Sequence, residues 1–304
     1  MAEKLDFISI ASSRQETLLH VLEVAKRLKK QRKETGQNDL LASGGGGKVL
    51  ACIYEKPSLR TRVSFEMAMF QLGGNAIYIS PNEIGLGTRE SAPDVARVLS
   101  GMVDGIMARV FEHQKILELA EHALVPVING LSDYSHPCQA MADIMTIEEH
   151  FGKLAGLTLA YIGDGNNVAR SLMAACACFN MKFRMAAPPG YGLEKELPGL
   201  DFAITPEPRD ALRNADVIYT DTWVSMGQEA EKEKRMAAFQ PYQVNAELLK
   251  AASRHAVVMH CLPANRGLEI TDEVIDGPRS VVFQEAENRL HFQKGLLAVL
   301  LCGA

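Results

Sequence analysis

The feature that most restricts this chain is a repeat of short apolar runs, each followed by a segment of helical periodicity. Residues 48–54, 76–80, 105–110 and 125–131 read as strands, and 58–72, 92–102, 115–122 and 136–151 as the helices after them. Alternation of this kind implies a parallel sheet with helices over both faces. A helix over 18–30 precedes the repeat, and Gly44 to Gly47 read as a flexible connector, since no G-K-[ST] follows them. Residues 152–157 read as a hinge, and a second set follows with strands at 157–162, 182–187, 216–220 and 256–260. A chain of 304 residues has the length for two ordinary domains. The expected fold is therefore α/β, two doubly wound parallel-sheet domains with the active site in the cleft between them. The expected boundaries are 1–151, 152–288 and a C-terminal helix, 289–304, packing back on the first domain.

In such sheets ligands bind beyond the carboxyl ends of the strands, and the distinctive polar residues of this chain fall there. After the first strand comes Glu55-Lys56-Pro57-Ser58-Leu59-Arg60-Thr61-Arg62. Ser58 suits an N-cap, Leu59, Val63, Met67 and Phe70 suit an apolar stripe on the core, and Gly73-Gly74 ends the helix. A first turn with unpaired amide N–H groups, two hydroxyls and a guanidinium is suited to a phosphate. The plainer alternative is an ordinary capped amphipathic helix, with Arg62 and Glu66 paired on its flank. Arg109 interrupts an apolar strand end and needs an anionic or carbonyl partner, or else a structural salt bridge. Pro137 fits the first position of a helix, which aims His136 and Gln139 into the same mouth.

In the second half, Gly163-Asp164-Gly165 after a strand suggests a dinucleotide site. Val168 stands where the third glycine belongs, and no clear acidic ribose ligand ends the next strand, which weighs against that reading. Asp221 to Gln228 follow another strand end, and 229–238, highly charged and poorly patterned, read as a surface loop and a candidate mobile lid. His260-Cys261-Leu262-Pro263 closes a further buried strand, and Arg289 precedes an apolar helix over 290–301.

The bulk properties exclude several classes. A formal net charge of -5 argues against nucleic acid as a partner, while leaving room for a local basic pocket. No run of eighteen apolar residues and no cleavable leader pattern occur, so the expected location is the cytoplasm. The six cysteines are scattered without paired C-x-x-C spacing, so no metal is implied, and Cys176 and Cys178 read as packing residues.

Ser58-Leu59-Arg60-Thr61-Arg62 after a strand resembles the carbamoyl phosphate loop of the aspartate and ornithine carbamoyltransferases, with Leu59 where many members carry Thr. Residues 132–137 resemble the carbamoyl-binding motif of that family. Asp221 with Ser225, Met226 and Gly227, and His260 to Pro263, resemble the signatures of its ornithine-using branch. The likeness runs from about Asp6 to Leu301. It implies transfer of a carbamoyl group from carbamoyl phosphate to the δ-amine of L-ornithine, without metal or organic cofactor, in a homotrimer or a higher assembly of trimers. It implies Ser58, Leu59, Arg60, Thr61, Arg109, His136, Gln139, Cys261, Leu262 and Arg289 around carbamoyl phosphate. Asn167, Asp221, Ser225 and Met226 are implied around ornithine, with Arg109, His136 and Cys261 as catalytic groups. Cys261, as thiol or thiolate, would accept the proton of the δ-ammonium or orient the amine. Gly85 departs from the family, whose members carry Gln or His there, and Arg89 is the expected substitute for the missing charge. Putrescine or an N-acylated ornithine is the alternative acceptor, and a catalytically dead ligand-binding homologue is the non-enzyme alternative.

Overall fold

The computed structural model describes residues 4–38, 40, 47–193, 197, 199–225 and 227–304. The chain divides into two compact units, Met1–Ala142 with Glu287–Ala304, and Asp143–Ala286. Gly44 to Gly46 lie outside the described residues.

In the first unit the order is α1 (Gln15–Thr35), β1 (Val49–Tyr54), α2 (Leu59–Leu72), β2 (Asn75–Ile79), α3 (Pro81–Ile84), α4 (Ala92–Ser100), β3 (Gly105–Arg109), α5 (His113–His122), β4 (Val127–Leu131) and α6 (Pro137–Phe151). The strands form a parallel sheet in the order β2-β1-β3-β4. Its core is aliphatic: Ile53, Ile106, Ala108, Ile116, Leu119 and Val127 are fully buried. The chain leaves β1 to one side for β2 and returns to the other for β3. The carboxyl ends of β1 and β3 therefore flank the switch point at which ligands bind in sheets of this type.

The second unit continues with β5 (Thr158–Ile162), α7 (Asn167–Cys178), β6 (Lys182–Ala186), β7 (Phe202–Thr205), α8 (Pro208–Leu212), β8 (Val217–Thr220), α9 (Lys232–Phe239), β9 (Val257–His260), α10 (Asp272–Ile275) and α11 (Val282–Cys302), the last running on into the first unit. Its sheet is again parallel, β7-β6-β5-β8-β9, with the switch between β5 and β8. β7 has no counterpart in the sequence reading. It is a short edge strand of partly exposed residues, so neither alternation nor an apolar run marks it.

Two expectations are corrected. Leu59, Val63, Met67 and Phe70 do not face the core of the first unit but are 74%, 49%, 36% and 68% exposed. α2 carries two apolar stripes, and the one turned inward is Phe65, Ala68, Met69 and Leu72. The cap decides between them, because Ser58 accepts from the Thr61 N–H and Thr61 is itself buried, which puts Phe65, one turn on, against the sheet. The segment 229–238 is also not an irregular loop. It forms a 3₁₀ turn, Glu229–Glu231, followed by α9, and Arg235 and Phe239 anchor it inward. Arg235 reaches Asp164 at 3.0 Å and Glu231 at 3.1 Å, while Phe239 packs among Trp223, Tyr191 and Tyr242. The high charge belongs to its outer face.

A bulge shapes the end of β3. Ala108 pairs with Asn129 but Arg109 pairs with Leu131, so Gly130 is the extra residue. A Cβ on Gly130 would lie 2.4 Å from Met107 Sδ and 3.2 Å from the Ala108 carbonyl oxygen. Gly130→Ala should therefore destabilise the protein by about 1–3 kcal/mol through overpacking. A lowered Tm in calorimetry checks this, and an unchanged Tm would mean that the bulge relaxes without cost.

Candidate active site

In the first unit, the loop after β1 turns into α2 with the geometry its residue types demand. The Ser58 hydroxyl accepts from the Thr61 amide at 3.2 Å and donates to the Thr61 hydroxyl at 3.1 Å, so the first turn is closed by its own side chains. Glu55 fixes the loop against the segment after β3, accepting from the Phe111 N–H at 2.9 Å and from Lys115 Nζ at 2.7 Å. Ser132 and Asn129 build the turn before α6: Asn129 Nδ2 donates to Ser135 Oγ at 3.0 Å, and the Ser135 N–H donates to Ser132 Oγ at 3.2 Å. That turn delivers His136 and, within the first turn of α6, Gln139.

Arg289 reaches the same place from α11. Its Nη1 donates to Gln139 Oε1 at 2.7 Å and its Nη2 to Thr61 Oγ1 at 3.1 Å, which ties α11, α6 and α2 through one guanidinium. Thr61, Arg109, His136, Gln139 and Arg289 are all buried, and Ser58 and Arg60 are partly so. Burial first, and then the charges of Arg289, Arg109 and Arg60, hold the His136 imidazole well below its ordinary pKa. The ring is neutral, and three guanidiniums stand close enough to act on it. Such a concentration of cations beside a capped helix start is suited to an anion. Lys56, which the sequence reading passed over, adds a buried cation in the same loop, its Nζ 4.1 Å from the centre of the Phe111 ring. Its only signal was its place inside the motif. Leu59 is exposed, so what it can offer an anion is its N–H in the first turn.

The structure gives the departure at Gly85 a local reason. Gly85 caps α3 at φ +53°, and a Cβ there would meet the Cβ of Arg89 at 2.7 Å. Arg89 is exposed and donates to the Glu83 carbonyl at 3.0 Å, which occupies it locally.

In the second unit the end of β8 presents Asp221, 5% exposed. Its Oδ1 accepts from the Thr222 N–H at 2.8 Å and from the Cys261 thiol at 3.0 Å, and its Oδ2 accepts from Asn166 Nδ2 at 2.8 Å. Asn166 does double duty, since its Oδ1 caps α7 by accepting from Val168 and Ala169, both at 3.0 Å. Asn167, the residue named from the sequence, is its neighbour, the first residue of the helix and half-buried. An N-cap asparagine at the carboxyl end of β5 was the available signal for Asn166. Ser225 lies in the turn after Asp221, its N–H donating to Gln228 Oε1 at 3.0 Å, and Met226 lies outside the described residues.

Cys261 follows β9. Burial first, and then the negative field of Asp221, Glu285 and Asp143, push its thiol well above the ordinary range. It is therefore a thiol donating to Asp221 and not a thiolate, and a protonated thiol has no room for a further proton. Of the two parts expected of Cys261, a thiol in this state suits orienting the amine and not accepting its proton. Leu262, at φ +54°, turns the chain so that its N–H donates to His260 Nδ1 at 2.9 Å. His260 Nε2 then carries the ring proton toward Glu269 Oε1 at 3.2 Å. Asp221, His260 and Cys261 bring one potential ligand atom each within 4.8 Å of one another, yet both ring nitrogens are committed to these hydrogen bonds. The cluster is held by hydrogen bonds.

Comparison with known proteins adds the decisive observation. Residues 5–149 match the carbamoyl-P binding domain of the aspartate/ornithine carbamoyltransferases, and residues 155–300 match their Asp/Orn binding domain. The chain belongs to the aspartate/ornithine carbamoyltransferase family. It is 50% identical over 306 residues to the ornithine carbamoyltransferase of Anoxybacillus flavithermus, covering 97% of this chain and 96% of that one. It is also 50% identical over 304 residues to that of Methanosarcina mazei, covering 98% and 99%. Among solved structures, the ornithine carbamoyltransferase of Pyrococcus furiosus superposes with a TM-score of 0.93 at 48% identity, covering 98% of this chain and 97% of that one.

The state of Cys261 can be read by alkylation. Peptide-resolved labelling with iodoacetamide near neutral pH should modify exposed Cys302 well before Cys261. Labelling of Cys261 ahead of Cys302 would show a thiolate there.

Proposed function

We propose that this chain transfers the carbamoyl group of carbamoyl phosphate to the δ-amine of L-ornithine, giving L-citrulline and phosphate. The observation that carries the choice of acceptor is the buried Asp221 carboxylate with its Cys261 donor. An acceptor with a second carboxylate, such as aspartate, asks for cations at this position, whereas an alkylammonium asks for an anion. Asn167, Ser225 and Met226 complete the proposed grip on the amino acid.

Carbamoyl phosphate is assigned to the first unit. Ser58, the Leu59 N–H, Arg60, Arg109 and Arg289 neutralise its phosphate, and His136, Gln139 and Thr61 hold the carbamoyl group; Cys261 and Leu262 complete the set proposed around that ligand. Because His136 is neutral, it offers an N–H and adds no fourth charge. Thr61 accepts from Ser58 and Arg289, which leaves its own proton to donate. The amine lone pair attacks the carbonyl carbon, and charge grows on the carbonyl oxygen, where Arg109, His136 and Thr61 donate. The bond to the phosphate oxygen then breaks, and phosphate leaves with the electron pair and takes up the proton that the attacking nitrogen sheds. An alkylammonium of pKa about 10.4 is nucleophilic only once deprotonated, so Asp221 serves to draw off its proton while Cys261 orients the pair.

The assembly is proposed as a homotrimer. The exposed stripe of Leu59, Val63, Met67 and Phe70 on α2 is a face that a second copy of the chain would cover. The proposed location is the cytoplasm, whose reducing conditions suit six free thiols. Among the described residues no helix is long and apolar enough to cross a membrane.

A citrulline assay with ornithine, putrescine and acetylornithine side by side should show ornithine preferred. Asp221→Asn should raise the ornithine KM or lower turnover while phosphate affinity in isothermal titration is kept. Citrulline formation absent from the wild type, or a loss confined to phosphate binding, would overturn the assignment. Independently, sedimentation should give the wild type three times the chain mass, and Met67→Glu with Phe70→Glu should lower it. A wild-type monomer, or an unaltered mass in the double variant, would remove the stripe as the interface.

A further inference from the structure

Behind Asp221 and Cys261 lies a second acidic pair that the proposed chemistry does not use. Asp143 on α6 and Glu285 on α11 are both fully buried, and their carboxyl groups are hydrogen-bonded to each other. Glu285 also accepts from the Tyr219 hydroxyl through Oε1 at 3.2 Å and from the His260 N–H through Oε2 at 2.9 Å. Tyr219 stands two residues before Asp221 on β8, and His260 is the residue before Cys261. The groups facing the pair are therefore Tyr219 from β8, His260 and Cys261 from the end of β9, and Asp221 beyond them.

We propose that Asp143 and Glu285 share a single proton and act as a positioning element, fixing the ends of β8 and β9 and so the Asp221–Cys261 pair that receives the amine. The bond between them dictates the proton, because an ionised carboxylate only accepts, and two ionised carboxylates cannot make a hydrogen bond. Burial first, and then the neighbouring Asp143 charge, raise Glu285 well above the usual carboxylate range. The proton belongs to the pair and not to one member. Since both oxygens of Glu285 already accept from fixed donors, an amide at 143 can replace the shared proton permanently, which makes Asp143→Asn the informative variant and Asp143→Ala its disruptive control.

The part of this inference that concerns the amine rests on the ornithine reading, but its first two measurements do not. Infrared difference spectra of wild type minus Asp143→Asn at neutral pH should show the carbonyl band of a protonated carboxylic acid. In the folded protein the pair keeps a proton that the unfolded chain releases above the ordinary carboxylate range. Wild-type stability therefore falls as pH rises from there toward the raised value. Asp143→Asn lacks this loss, so its Tm relative to wild type should climb with pH over that window. Kinetically, Asp143→Ala should raise the ornithine KM about tenfold, the worth of one lost hydrogen-bonded contact, while Asp143→Asn stays near wild type. Absence of the infrared band, or a Tm difference flat with pH, overturns the shared proton. Equal KM values for Asn and Ala overturn the positioning role. Absence of citrulline from the wild type, with the band present, would sink the ornithine reading alone.

Discussion

Three guanidiniums near one buried imidazole form the interaction on which the first unit depends. Like charges in a partly dehydrated site repel, and each buried ion costs several kcal/mol unless something compensates it. The fold holds them because each arises from a different rigid support: Arg60 from the capped turn of α2, Arg109 from a bulged strand end, and Arg289 from α11. Arg289 is further pinned by Gln139 and Thr61, so its side chain has little freedom to leave. The neutrality of His136 follows from its burial first and then from the same field. A dianionic phosphate, the proposed ligand, would turn this repulsion into attraction, and an electroneutral occupant would not.

The second unit has the opposite sign. Burial first, and then Asp221, Glu285 and Asp143 together, hold the proton of Cys261 in place. Asn166 couples this acidic site to the fold by capping α7 with one atom and holding Asp221 with another. The division by sign follows the chemistry of the two proposed ligands, one a phosphate ester and the other an alkylammonium. Each unit places its charged groups at the carboxyl ends of strands on the two sides of a switch point.

Much of this was legible in the sequence, and the exceptions share a cause. The alternation of apolar runs and periodic helices announced two parallel sheets, because buried strands and amphipathic helices leave different spacings. The motif residues Ser58, Thr61, Arg109, His136, Asp221 and Cys261 stood at strand ends, where the fold had to expose them to a ligand. What failed were decisions between two local possibilities that only packing settles. α2 has two apolar stripes, and nothing in its spacing says which one faces the sheet. Residues 229–238 look unstructured because their charges face outward, while the burial of Arg235 depends on Asp164, 71 residues earlier. The partnership of Asp143 with Glu285 was likewise invisible, since each carboxyl alone reads as an ordinary helix residue.

The proposed shared proton bears on the amine. To act as a nucleophile, a δ-ammonium held at Asp221 must lose its proton, yet every negative charge near it favours the ammonium form. Three ionised carboxylates would bind the substrate strongly and keep it inert. Removing the second pair entirely would leave the ends of β8 and β9 without the acceptor that holds Tyr219 and His260. A pair carrying one negative charge instead of two keeps those hydrogen bonds and lowers the field that opposes deprotonation. On the same grounds Cys261 serves better as a thiol than as a thiolate, because a neutral donor to Asp221 orients the carboxylate without adding charge. In the proposed chemistry the acidic site thus limits how much negative charge surrounds the ammonium that must lose its proton.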